Sequence, residues 1–229
     1  MNKYKKIISL AATAVICVSP MSVYAQEVQT DMTEAVAEKT QETESSSVPV
    51  LQKEGIEISE GTGYDLSKEP GAETVTALEQ GTIVISYKTT SENAVQSLLS
   101  VGNGTKGNQD RHFHLYITNA GGVGMELRNT DGEFKYTLDR PAAVRGSYKG
   151  ERVSNTVALK ADKENKQYKL FANGELLATL DQEAFKFISD ITGVDNVMLG
   201  GTMRQGTVAY PFGGSIESLQ VYQDVLSDD

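Results

Sequence analysis

"YKLFANGELLATL", residues 168–180, sets Asn173-Gly174 between two apolar arms. Asn-Gly is the cheapest way to supply two successive residues at positive φ, which a two-residue type I′ turn demands. The stretch therefore reads as an antiparallel β-hairpin, the strongest such signal in the chain. Working outward from it, short β-branched or alternating runs recur at residues 81–90 (GTIVISYKTT), 95–101 (VQSLLSV), 111–118 (RHFHLYIT), 132–138 (GEFKYTL), 156–162 (TVALKAD) and 214–222 (GSIESLQVY). Glycine, asparagine and aspartate punctuate them. This spacing predicts an all-β fold, a two-sheet antiparallel β-sandwich. One short helix is expected at residues 182–191 (QEAFKFISDI), ending near Gly193.

Two segments precede the sandwich at residues 51–229. In residues 1–25, Lys3, Lys5 and Lys6 lead into an apolar stretch from Ile7 to Val18, then Pro20 and a small-residue site ending at Ala25, which is the pattern of a secretory signal peptide. The single cysteine, Cys17, lies inside it behind Ala14-Val15-Ile16, a poor lipobox. A mature chain without cysteine has no disulfides and must rely on its apolar core, which a domain of this size can supply. Residues 26–50 carry six acids, one lysine and no aromatic residue, and read as a disordered acidic linker. The chain is expected to be extracellular, and no later stretch approaches the roughly 18 apolar residues of a membrane span.

The formal charge is −10, and without the three lysines of residues 1–25 it becomes −13, of which the linker carries −5 and the domain about −8. That balance argues against nucleic acid and anionic membrane surfaces, which need a basic field. It leaves room for a small anionic ligand held by one or two arginines.

The stretch "YITNAGGVGMELR", residues 116–128, reads as a second hairpin. Phe113, Leu115 and Ile117 share one face of the first arm, and Val123, Met125 and Leu127 share one face of the second. Pairing Ile117 with Met125 and Asn119 with Val123 buries both sets and leaves Ala120-Gly121-Gly122 as a three-residue loop. Tyr116 then stands opposite Glu126, and His114 opposite Arg128. Asp131-Gly132 predicts a further tight turn that pairs Leu127 with Tyr136 inside and Arg128 with Lys135 outside. Two opposed cations cost stability unless an anion lies nearby, and Glu126 is one such neighbour. From the pattern alone the outward residues are either the wet side of an amphipathic sheet or the floor of a site for a polyhydroxylated anion.

Tryptophan, the usual stacking platform for neutral sugars, is absent. A sugar site here would work through charge and hydrogen bonds. Its other half is expected from "GGTMRQGTVAYPFGG", residues 200–214, which places Arg204 and Tyr210 on a loop. His112-x-His114 puts two imidazoles on one strand face with no third ligand in view, so both are expected to be polar surface residues rather than a metal site. Asp162 to Glu164 could hold a structural calcium, although Lys160, Lys163 and Lys166 make a poor cage. No cofactor is expected.

The close of the chain, Phe212-Gly213-Gly214-Ser215-Ile216 with Leu219, Val221, Tyr222 and Leu226, resembles the last strand of concanavalin A-like and laminin-G-like jelly rolls. With "HLYITNAGGVGMELR" and "GGTMRQGTVAYPFGG", residues from about 50 to 226 are similar to a family-40 carbohydrate-binding module. These are the sialic-acid-recognising lectin domains at the N-terminus of many secreted bacterial sialidases, including intramolecular trans-sialidases. The resemblance implies a non-catalytic binder of sialylated glycans and mucin, monomeric, that targets a sialidase catalytic domain in cis. The chain's close at Asp229, directly after the last strand, fits a domain of a longer enzyme.

Carried over by position, the resemblance implies that Arg128 and Arg204 grip the ligand carboxylate. Glu126 accepts from a sugar hydroxyl and the acetamido N–H, Tyr116 and Tyr210 flank the ring, and Val95 forms an apolar wall. His114 and Lys135 join as surrounding electrostatics by the register argument. A sugar of some twenty heavy atoms at about 0.3 kcal/mol each gives roughly 6 kcal/mol, so single-site affinity falls between tens of micromolar and millimolar.

Two other classes compete. A glycoside hydrolase of this fold would carry an E-x-D-x-x-E string, and sialidase chemistry needs tryptophan-bearing repeats; neither occurs. A laminin-G-like adhesion module for protein or acidic glycans would want a broad basic track, which the charge opposes.

Overall fold

The computed structural model describes residues 47–104, 111–129, 133–140 and 153–228. The signal-peptide and linker expectations lie outside them apart from residues 47–50, as does the Asp131-Gly132 turn.

Two six-stranded antiparallel sheets form a sandwich. One sheet orders β1 (Leu51–Ile58), β14 (Gly214–Tyr222), β3 (Gly81–Thr89), β8 (Asn155–Asp162), β9 (Gln167–Ala172) and β10 (Glu175–Asp181). The other orders β2 (Tyr64–Asp65), β11 (Asn196–Leu199), β4 (Val95–Gly102), β5 (His112–Thr118), β6 (Val123–Asn129) and β7 (Phe134–Arg140). A two-stranded ribbon, β12 (Thr202–Arg204) and β13 (Thr207–Ala209), and a short helix α1 (Ala72–Thr76) complete it. The all-β sandwich expected from the strand spacing is the architecture found.

The alternation of the strands builds the core. Ile83, Ile85 and Tyr87 of β3, Val157 and Leu159 of β8, and Tyr168 and Leu170 of β9 meet Phe113, Leu115 and Ile117 of β5 and Val123, Met125 and Leu127 of β6, all buried. Truncating one such leucine to alanine costs about 2–5 kcal/mol. In the hairpin read first, Ala172 pairs with Glu175 and the turn residues Asn173 and Gly174 have φ of 51° and 81°, the left-handed pair of a type I′ turn. Asn173 Oδ1 also accepts the Thr156 N–H at 2.8 Å, tying the turn to β8.

Three expectations are corrected. In the β5–β6 hairpin Ile117 pairs with Val123, Leu115 with Met125, His114 with Glu126 and His112 with Arg128, a slide of two residues from the expected register. The core faces survive because an even slide preserves the pleat. The loop is Asn119-Ala120-Gly121, closed by Thr118 N–H to Gly122 O at 2.9 Å, with Gly121 at φ 80° and the Thr118 hydroxyl accepting the Gly122 N–H at 2.9 Å. The left-handed residue is a glycine of the expected loop, Gly121, while the loop itself starts one residue earlier.

No α-helix forms over residues 182–191; only a 3-10 turn, Ile188–Asp190, is present. Phe185 and Phe187 both reach Tyr168, at ring separations of 4.9 and 6.5 Å. Residues two apart share a side only in extended backbone, so this aromatic packing excludes a helix there. The third correction concerns residues 204–210. Thr202–Arg204 and Thr207–Ala209 pair as the β12–β13 ribbon, turned by Gln205-Gly206 at φ 51° and 77° between the paired Arg204 and Thr207, so Arg204 ends a strand while Tyr210 follows the ribbon on irregular chain as expected.

Candidate functional site

The site grows from the outer face of the β4-β5-β6-β7 sheet. Cross-strand rows place Ser100, His114, Glu126 and Thr137 side by side, with Ser97, Tyr116, Gly124 and Asp139 in the next row and Gly102, His112, Arg128 and Lys135 in the one beyond. Much of this face is not wet. Ser97, Ser100, His112 and His114 are buried, His112 to 2 % and His114 to 4 % exposure. Buried polar groups need partners, and the cover supplies them.

The β12–β13 ribbon and the chain after it form that cover. Ser100 Oγ donates to Gly201 O at 2.8 Å, Thr202 Oγ1 donates to Ser97 Oγ at 3.1 Å, and Ser97 N–H donates to Tyr210 O at 2.9 Å. Tyr210 sits at φ 51°, a left-handed conformation that costs a non-glycine residue about 1–3 kcal/mol and persists only where surroundings enforce it. That conformation lays its ring 5.2 Å from His114, while Tyr116 lies 4.8 Å away from the same imidazole. Arg204 Nη1 donates to Tyr210 Oη at 2.8 Å, with its guanidinium carbon 5.5 Å from the tyrosine ring centroid.

Gly124 explains how Tyr116 lies flat on β6. A methyl group at position 124 would fall 2.4 Å from Tyr116 Cζ and 2.5 Å from its Oη, so only glycine leaves room for the ring. Beside this row Glu126 gathers nitrogen partners: Oε1 lies 3.2 Å from His112 Nε2 and 3.3 Å from Arg128 Nη1, and Oε2 lies 3.6 Å from Lys135 Nζ. The Arg128–Lys135 and Leu127–Tyr136 pairs stand as the sequence predicted, with Glu126 between the two cations.

Electrostatics follow from these distances. Burial lowers His114 to about 3, with help from the charges of His112, Arg204 and Arg128, so the imidazole is neutral. Burial opposes ionisation of Glu126, yet the His112 hydrogen bond and then the Arg128 charge hold it down to about 2. Burial, with Asp139 and Glu126 adding to it, pushes the Tyr116 phenol up to about 12.

Thus five of the six site residues named from the sequence, Arg128, Arg204, Glu126, Tyr116 and Tyr210, converge around His114. Val95 stands at the rim of the same face, opposite Thr118 and two positions from Ser97. The expectation that His112 and His114 are surface residues without a third ligand is overturned. Both are buried, and with Glu126 they place one ligand atom each within 4.8 Å of one another. The donor set does not suit a metal ion, because Arg128 and Lys135 already hold the carboxylate and would repel a second cation. Asp162 of the proposed calcium loop caps its own turn, accepting from Asn165 N–H at 2.9 Å and Asn165 Nδ2 at 2.7 Å. Ser97, Thr202 and Gly124 were missed; only the small-residue alternation of "VQSLLSV" and "GVGM" hinted at a covered face.

An antiparallel sandwich that gathers two arginines, two tyrosines and a locked carboxylate on one sheet face is of the lectin-like class. The family described as "Sialidase, N-terminal domain" matches residues 47–229, and the chain belongs to it, which bears out the resemblance read from its motifs. The carbohydrate-binding module of the Ruminococcus gnavus IT-sialidase bound to α2,6 sialyllactose is 95% identical with a TM-score of 0.77, covering 79% of this chain and 96% of its own. The same module bound to α2,3 sialyllactose is 92% identical over the same shares with a TM-score of 0.76. The anhydrosialidase of Macrobdella decora is 63% identical over 222 residues, which are 94% of this chain and 29% of that protein. The chain thus spans under a third of the length of this curated relative.

Proposed function

We propose that this chain is a non-catalytic module that binds terminal sialic acid on glycans and mucin outside the cell, as a monomer, and directs an attached sialidase to its substrate. The observation that carries this is the convergence of Arg128 and Arg204, from different elements, on the tilted Tyr116–His114–Tyr210 ring cluster beside Glu126. The guanidiniums would take the carboxylate, Glu126 the acetamido N–H and a hydroxyl, and the tyrosines the ring faces, with Val95 as the apolar edge. Such a grip reaches only the terminal sugar, so both α2,3 and α2,6 linkages fit. The nearly identical modules carrying each of those two ligands support this.

Each charge-assisted hydrogen bond contributes about 1.5–3 kcal/mol, so Arg128→Ala or Arg204→Ala should weaken binding by roughly ten- to a hundredfold or more. Calorimetry with sialyllactose tests it, and wild-type affinity in both variants would sink the assignment. On a glycan array, equal response to sialylated and desialylated mucin would remove sialic acid as the ligand.

A further inference from the structure

The opposite face of the sandwich carries a second organised feature. Thr82 on β3 stands directly opposite Lys160 on β8, and Lys160 directly opposite Lys169 on β9. Ammonium groups at opposed strand positions repel. Lys160 is also 7 % exposed, so its charge needs a partner close by.

The chain after β14 provides it. Thr82 Oγ1 donates to Asp224 O at 3.0 Å and accepts the Leu226 N–H at 3.0 Å. Lys160 Nζ donates to Ser227 O and to Asp228 Oδ1, the latter at 2.7 Å, and lies 5.0 Å from the Phe171 ring centroid. Lys169 Nζ donates to Asp228 Oδ2 at 2.6 Å. The hydrogen bonds from Lys160 and Lys169 hold the Asp228 carboxyl below its ordinary range. One exposed ion pair contributes little. Here a carboxylate bridging two lysines, two backbone carbonyls and a backbone amide act on the same short segment.

We infer that residues 223–228 form a strap that carries the chain across the sandwich face opposite the glycan site, so that a domain continuing from it is held behind the module. This rests on the proposal that the glycan sits on the outer face of β5 and β6. Those strands and the strap occupy the outer faces of different sheets, with the whole core between them. A domain attached through the strap would then leave the module on the side away from the gripped sugar.

Pulsed dipolar spectroscopy tests the strap. In the full chain with Cys17→Ser, nitroxides are placed at Ala120→Cys, on the hairpin tip beside the site, and at Ser227→Cys, on the strap. The expected result is one narrow distance centred well beyond the roughly 10 Å separation of packed sheets. Adding Lys160→Met and Lys169→Met, which keep the aliphatic stems, should broaden it while sialyllactose affinity stays within about twofold of the parent. A broad or short distance in the parent, or an equally narrow one in the double variant, overturns the inference. Failure of the parent to bind sialyllactose would defeat the glycan assignment and leave the distance result standing.

Discussion

Gly124→Ala isolates the contribution of Tyr116 without removing any polar group of the site. The added methyl would meet Tyr116 Cζ at 2.4 Å, Oη at 2.5 Å and Cε2 at 2.8 Å, where ordinary carbon contacts are about 3.5–4.0 Å. The ring must therefore rise by about 1 Å or tilt. The ring stands 4.8 Å from that of His114, and under the proposed binding mode its displacement alters the surface on which a sugar ring would lie. Overpacking of this kind costs about 1–3 kcal/mol, and the loss of a strand glycine returns roughly 0.5–1 kcal/mol. For a domain of this size the net change corresponds to a Tm lower by at most about 10 °C, so the variant stays folded at room temperature. Sialyllactose affinity, measured by calorimetry, should fall about tenfold or more. Tyr116→Phe, which keeps the ring where it is, should lose much less. Wild-type affinity in Gly124→Ala would refute the placement of Tyr116 against the ligand.

Two further outcomes follow from the same structure. His114 is lowered to about 3 when folded against an ordinary 6.5, so the unfolded chain binds the extra proton between those values. Stability is then fully present above pH 6.5 and declines as pH falls toward 3, by about 2–3 kcal/mol at pH 4.5, and Glu126 adds to the loss below its ordinary 4.5. Tm by calorimetry should drop by about 5–10 °C between pH 7 and 4.5 and flatten over pH 7 to 5 in His114→Phe; an unchanged slope in that variant would contradict a neutral buried imidazole. Asn173→Ala places a Cβ-bearing residue without a local hydrogen bond at φ 51° and removes the acceptor of the Thr156 N–H, so Tm should fall by an amount equivalent to about 1–3 kcal/mol. An unchanged Tm would show that the turn does not depend on Asn173.

What the sequence made legible was parity. Phe113, Leu115 and Ile117 alternate with His112, His114 and Tyr116, so faces could be assigned without knowing the register. Register is decided by the loop, and the loop is decided by the Thr118 hydroxyl holding the Gly122 N–H, a local bond that hydrophobic pattern does not encode. The same limit hid the cover. "RQGT" contains a type I′ turn, but Gln-Gly is a weaker signal than Asn-Gly, and the strands beside it are only three residues long. The pattern alone cannot show that His112 and His114 are covered, because the ribbon over this face lies almost ninety positions away, through contacts such as Thr202 to His114 at 3.5 Å.

The electrostatics of the site support binding over chemistry. Glycoside hydrolysis in most families needs two carboxyl groups, one kept protonated near neutral pH to protonate the leaving oxygen. The carboxyl at the centre of this site, Glu126, is driven the other way, to about 2, and cannot act as that acid. A tyrosine nucleophile, the alternative used by sialidases, needs an accessible phenolate. Tyr116 is pushed up to about 12 by burial, and the Tyr210 oxygen already accepts from Arg204. What remains is a fixed array of opposite charges. Arg128 Nη1 donates to Glu126 Oε1 at 3.3 Å, a long bond that a ligand carboxylate would outcompete. Among the described residues, Glu126 and Tyr210, which would stand beside a bound anion, already accept from Arg128 and Arg204 and are committed to holding the array together.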